Sequence, residues 1–143
     1  MKKFLYSLFV ILIFASAVFA DPQTFGNFRA EIPSNWTGEL QNSTLIIKNE
    51  NKNASISIEF HKIGEASLSE IVENLCTKMD GRDLEQDDDG DYSFSFVNSD
   101  GIENIALVTC GDDYYLLIFM NGFEDNSLEK DFEKILHSID WEE

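Results

Sequence analysis

The chain has none of the short motifs that announce an enzyme or a bound cofactor: no Gly-x-Ser-x-Gly nucleophile elbow, no phosphate loop and no zinc-binding helix motif. Histidine is scarce. His61 and His137 lack a Cys or His partner at metal-ligand spacing, and His137 falls beside the apolar stripe of its segment, so both read as surface side chains. Basic residues are scarce as well, with 10 Lys and Arg against 27 Asp and Glu, a formal net charge of −17. Such a surface repels nucleic acid and anionic lipid, and excludes both as partners. Carboxylates are so abundant that any two could be paired as acid and base, so their abundance identifies no catalytic pair. There is no internal repeat and no low-complexity linker to divide the chain.

The first twenty residues are of a different kind. Met1-Lys2-Lys3 precedes an apolar block from Phe4 to about Val18, and Val18-Phe19-Ala20 puts small residues where a signal peptidase requires them. Cleavage between Ala20 and Asp21 is expected, with export to the periplasm or the medium. The block is short for a membrane span and no Cys follows it, so neither a membrane anchor nor a bacterial lipoprotein anchor is expected after cleavage. The remaining 123 residues, 21–143, suffice for a single domain. They keep 8 of the basic and all 27 acidic residues, a net −19, which favours solubility and a monomer or weak homo-oligomer.

Period-two patterns dominate from Asp21 onward. Phe28, Ala30 and Ile32 alternate with polar residues until Pro33 stops the strand. Thr44 to Lys48 is a second apolar run, broken by Asn49-Glu50-Asn51-Lys52-Asn53. Ile56, Ile58 and Phe60 then share one face of a strand that makes a hairpin with it. The period changes at Ser67-Leu68-Ser69-Glu70, a capping box, after which Leu68, Ile71, Val72, Leu75 and Met79 mark one helix, stopped by Gly81. Strands resume over Asp83 to Gln86 and through Tyr92, Phe94 and Phe96, joined by turns containing Asp89-Gly90 and Asp100-Gly101. A second helix is expected with Asn126 as N-cap and Leu128, Phe132, Ile135, Leu136 and Ile139 as its stripe.

The most apolar stretch, Ile102 to Phe123, reads as two strands joined across Gly111-Asp112-Asp113. Its second arm, Tyr114 to Met120, is apolar on both alternating faces and must be covered on both. The expected architecture is α+β: a single antiparallel sheet of about six or seven strands, built of hairpins, with one amphipathic helix on each face in a three-layer α/β/α sandwich.

With that order established, the two ends of the domain take on a familiar form. Phe28-x-Ala30-x-Ile32-Pro33-x-x-Trp36 resembles the opening strand and Pro-then-Trp turn of PsbP/Mog-like proteins, and Phe132-x-x-Ile135-Leu136-x-Ser138-Ile139 resembles their closing helix. The usual Gly before the Trp is Asn35 here. The resemblance implies an antiparallel sheet flanked by helices and a non-enzymatic binding or assembly role with a protein partner, as an exported bacterial member. It assigns no functional residue.

Three features bear on function directly. Glu85-x-Asp87-x-Asp89-Gly90-Asp91 imitates the front of a calcium loop, but the twelfth position, which should be a bidentate Glu, is Phe96 inside a strand, so a hairpin turn is expected. Cys76 and Cys110 are the two cysteines of an exported chain, and if the first helix covers the strand face of Ala106, Val108 and Cys110, their sulfurs could meet in a disulfide. In Gly111-Asp112-Asp113-Tyr114-Tyr115, alternation sends the two tyrosines to opposite faces beside two carboxylates, an arrangement suited to a cationic or amphipathic partner. Asn-x-Ser/Thr sequons at Asn35, Asn42 and Asn53 read as turn chemistry. The functional expectation is an exported binding or assembly module. The competing classes are a secreted hydrolase using some of the many carboxylates and an acidic calcium-responsive protein.

Overall fold

The computed structural model describes residues 21–142. Ala20 and the expected signal segment lie outside the described residues, and Asp21 is the first within them. Five strands come first, β1 (Gln23–Phe25), β2 (Phe28–Ala30), β3 (Trp36–Gln41), β4 (Thr44–Asn49) and β5 (Ser55–Lys62), followed by helix α1 (Leu68–Lys78). Then come β6 (Arg82–Gln86), β7 (Tyr92–Val97), β8 (Glu103–Cys110) and β9 (Tyr114–Asn121). A 3-10 turn at Asn126–Leu128 leads into α2 (Glu129–Ser138), and β10 (Asp140–Trp141) ends the described chain.

Seven strands form one antiparallel sheet in the order β3-β4-β5-β9-β8-β7-β6. The apolar hairpin β8–β9 lies inside it, as its composition requires, with β9 paired to β5 from Ser55↔Asn121 to Lys62↔Tyr114. Alternation along β9 divides the core. Leu116, Ile118 and Met120 join Leu45, Ile47, Ile56 and Ile58 beneath Leu128, Phe132 and Ile135 of the α2 segment, while Leu117 joins Phe94, Phe96, Ala106 and Val108 beneath Val72 and Cys76 of α1. Each face carries one helix, giving the three-layer α+β arrangement. A second sheet, β1-β2-β10, adds to it on the α2 side. Its strands are two or three residues long, too short to show a period, and Ser138 ties it to α2 by accepting from Glu31 N at 2.8 Å and donating to Ile135 O at 2.9 Å.

Local chemistry explains the helix ends, with two changes from expectation. Ser67 Oγ accepts from Glu70 N at 3.2 Å and so caps α1. At its other end the left-handed residue is Asp80 (φ 55), not Gly81. Gly81 is needed for space: a Cβ there would lie 2.7 Å from Phe94 Cδ2 and 2.8 Å from Cys76 Sγ. Before α2, the cap is Asp125 rather than Asn126, its carboxylate accepting from Ser127 N at 3.0 Å. The 3-10 turn is inserted there, and α2 itself starts one turn later, without a side-chain cap.

The Cys76–Cys110 disulfide that the sequence allowed is not formed; both thiols are free. The face was read correctly and the level along the strand was not. Cys76 is buried against Phe94, whose partner on β8 is Ala106, while Cys110 stands four residues further along at the exposed strand end. At about 3.3 Å per residue that offset is about 13 Å, far beyond the reach of a bridge. The Cys110 thiol donates instead to Gly111 O at 3.2 Å.

Candidate functional site

The sheet end formed by the β8–β9 turn is where aromatic residues gather without being fully covered. Gly111 N donates to Tyr114 O at 2.8 Å, which closes the turn and leaves Asp112 and Asp113 exposed at its tip. Glycine suits position 111 because a Cβ would clash with Cε1 and Cζ of the Tyr114 ring. Asp113 O also accepts from Ile63 N at 3.0 Å, holding the turn against the strand beside it. The two tyrosines point to opposite faces, as alternation demands, and both are half-buried.

On the α2 face, the Phe60 and Trp141 rings stack with centroids 3.7 Å apart and planes at 8°, and Tyr114 packs on both, at 5.2 Å and 5.8 Å. This aromatic set borders an open groove of about 420 Å³, floored by Phe28 and rimmed by Gly26, Leu40 and Ser43. Asn42 (φ 50) and Ser43 (φ 73) make the β3–β4 turn beside it in the left-handed region without a glycine, which costs of order 1 kcal/mol each. On the α1 face, Tyr115 stacks on His61 at 5.1 Å, and Glu59 lies within hydrogen-bond distance of the same imidazole, at 2.9 Å. Burial, and secondly the Glu59 charge, push the Tyr115 hydroxyl upward from its ordinary value, so it stays neutral and able to donate. Lys78 and Leu75 of α1 close the other side of this shallow groove.

The acidic loop before β7 is a hairpin turn. Asp87 Oδ1 turns inward to accept from Asp89 N at 2.9 Å and Asp91 N at 3.0 Å, with Gly90 at φ 91. The turn at Asn98 is built the same way: its side chain accepts from Asp100 N and Ile102 N, and Gly101 has φ 79. An amide does the work of the carboxylate there, so that carboxylate needs no cation to explain it. Asp91 accepts from Cys110 N at 3.2 Å and fastens this turn to the end of β8. Burial raises its carboxyl above the ordinary value, the Cys110 N–H opposes this, and Asp87 and Asp89 add to the rise. Among the described residues, no three His, Cys, Asp or Glu side chains are gathered to hold a metal ion.

Asn35 (φ 71) and Asn42 are left-handed turn residues, which accounts for two of the sequons as turn chemistry. Trp36 is a core residue, buried with its indole N–H donating to Asp131 at 2.9 Å. What the sequence did not show was the joining of Phe60, Trp141 and Leu40 to Tyr114, because Trp141 belongs to a two-residue strand of the second sheet.

No family model and no curated protein matches the chain. Among solved structures, it is similar to the solution structure of cyanobacterial PsbP (CyanoP) from Synechocystis sp. PCC 6803, with a TM-score of 0.58, 12% sequence identity, and coverage of 85% of this chain and 92% of that one. The fold is therefore PsbP-like over most of both chains.

Proposed function

We propose that this protein is an exported, non-enzymatic binding or assembly module of the cell envelope, and that it engages a cationic or amphipathic protein segment at the sheet end carrying Asp112, Asp113, Tyr114 and Tyr115. The observation that carries the reading is the half-buried set of Phe60, Trp141 and Tyr114 beside two exposed carboxylates. Rigid aromatic rings offer contact area at small entropic cost, and the carboxylates favour a positively charged approach. The PsbP-like fold supports the same class of role, since the resemblance implies binding or assembly. Both grooves here are open and shallow rather than deep with converging polar groups. Among the described residues, no helix is long and apolar enough to cross a membrane.

The test uses purified residues 21–143 immobilised against an envelope extract. Asp112→Asn with Asp113→Asn is expected to weaken capture of a saturable partner several-fold at low salt while leaving the melting temperature within about a degree, since both carboxylates are exposed. Unchanged capture rejects the site, and turnover of any substrate by the purified protein rejects the class.

A further inference from the structure

The two edges of the seven-stranded sheet are treated differently by the sequence. At β6 the register with β7 shifts between Arg82 and Glu85, Asp83 sits at φ 58, and charged side chains line the strand. A bulged, charged edge is how proteins prevent another strand from adding on. At β3 there is no bulge, and Glu39 is the one charged side chain on the strand. Its register with β4 is unbroken from Trp36↔Asn49 to Gln41↔Thr44, and it contains no proline, lysine or arginine. Among the described residues, nothing pairs with its outer edge. The small sheet does not extend it either: Phe25 of β1 lies over Gly38 from above, on the α2 face.

We infer that the β3 edge is a docking rail to which an extended segment of the partner protein adds as an eighth strand, with apolar side chains on its α2 face and Lys or Arg on the other. This rests on the binding reading above and names the form its partner takes. The main-chain groups along Thr37–Gln41 supply the attachment, and the faces of β3 supply the selectivity. On the α2 face Leu40 is 43% exposed at the groove shared with Phe60 and Trp141, so a partner residue beside it enters an apolar, aromatic slot. On the opposite face, Glu39 is exposed and Glu50 accepts from Thr37 Oγ1 at 2.9 Å, two carboxylates against the one cation of Lys48. A cross-strand Lys or Arg meets a carboxylate there. A second copy of this chain would bring another Glu39 to the edge, and the net charge of −17 opposes that pairing. Leu40 and Ser43 put the rail at the same sheet end as Tyr114, so both surfaces can engage one partner.

The probe is a short synthetic peptide alternating valine with lysine around one phenylalanine, titrated into the protein while backbone amide shifts and exchange are followed. Shifts and slowed exchange along Thr37–Gln41, with perturbation of Trp141, are expected. The same peptide N-methylated on alternate residues, which keeps its side chains and removes one edge of donors, should bind more than about tenfold more weakly. Glu39→Lys should weaken the unmethylated peptide about fivefold without moving the melting temperature. Equal binding of the methylated peptide overturns the inference, as does the absence of any shift along β3. Shifts confined to Asp112–Tyr115 overturn the rail and leave the binding reading standing. Concentration-dependent protection of β3 without peptide assigns the edge to a second copy and overturns it too.

Discussion

The two faces of the central sheet are built to different standards. On the α2 face the core runs across β4, β5 and β9, is roofed by Leu128, Phe132 and Ile135, and is continued by Phe28 and Ala30 of the small sheet. On the α1 face burial is confined to β7, β8 and part of β9 beneath Val72 and Cys76, while the β3–β5 half carries Thr37, Glu39, Ser55 and Ser57, exposed or half-buried. One face therefore carries the larger core, and the β3–β5 half of the other is left without a covering helix. Burial rather than hydrogen bonding makes the difference, since the ladder serves both faces equally.

The largest test of that asymmetry is a matched pair of truncations at adjacent buried positions of β9. Leu116→Ala, on the α2 face, is expected to cost about 4 kcal/mol and Leu117→Ala, on the α1 face, about 2 kcal/mol in denaturant unfolding. Equal costs would break the comparison. A smaller effect is expected at the sheet end, where Gly111→Ala forces the Tyr114 ring off its seat and costs about 1–2 kcal/mol. Altered tryptophan emission should accompany it, because Tyr114 packs on Trp141.

The pH dependence sharpens the α2 side further. The Ser127 hydroxyl, the Lys52 ammonium and the Ser127 N–H hold the Asp125 carboxyl at about 2. A depressed carboxyl stabilises the fold above its unfolded value, so this contribution is complete above about pH 4 and is lost as pH falls toward 2. Asp125→Asn should flatten the stability curve in that window, and a curve unchanged by the substitution would contradict the cap. The smallest effect is at the cysteines. Both thiols should label in the unfolded protein, and reductant should leave the melting temperature unchanged.

Much of this division could be read from the residues. The two-sided apolar run Tyr114 to Met120 required cover on both faces, and the opposite directions of Tyr114 and Tyr115 followed from alternation. Ile56, Ile58 and Phe60 revealed their common face, and Ser67 with Glu70 marked the start of α1. What stayed hidden depends on contacts distant in the chain. β1 and β10 have too few residues to show a period, and β10 exists because α2 delivers Asp140 and Trp141 beside Arg29 and Phe28. The Phe60–Trp141 stack results from that delivery. The cysteine pairing failed because a face can be read from parity, whereas height along a strand depends on where the helix comes to rest. Asp125 took the cap from Asn126 because the 3-10 turn, invisible to a helical period, begins a residue earlier.

Native-state hydrogen exchange, measured amide by amide on the free protein, tests the asymmetry most directly. Paired amides of β4, β5, β9 and α2 are expected to exchange only through global unfolding, α1 to open at a lower free energy, and the outward amides of β3 to exchange freely. Protection in α1 equal to that in α2, together with slow exchange along the outer edge of β3 at every protein concentration, would contradict a fold that rests more on one face than on the other.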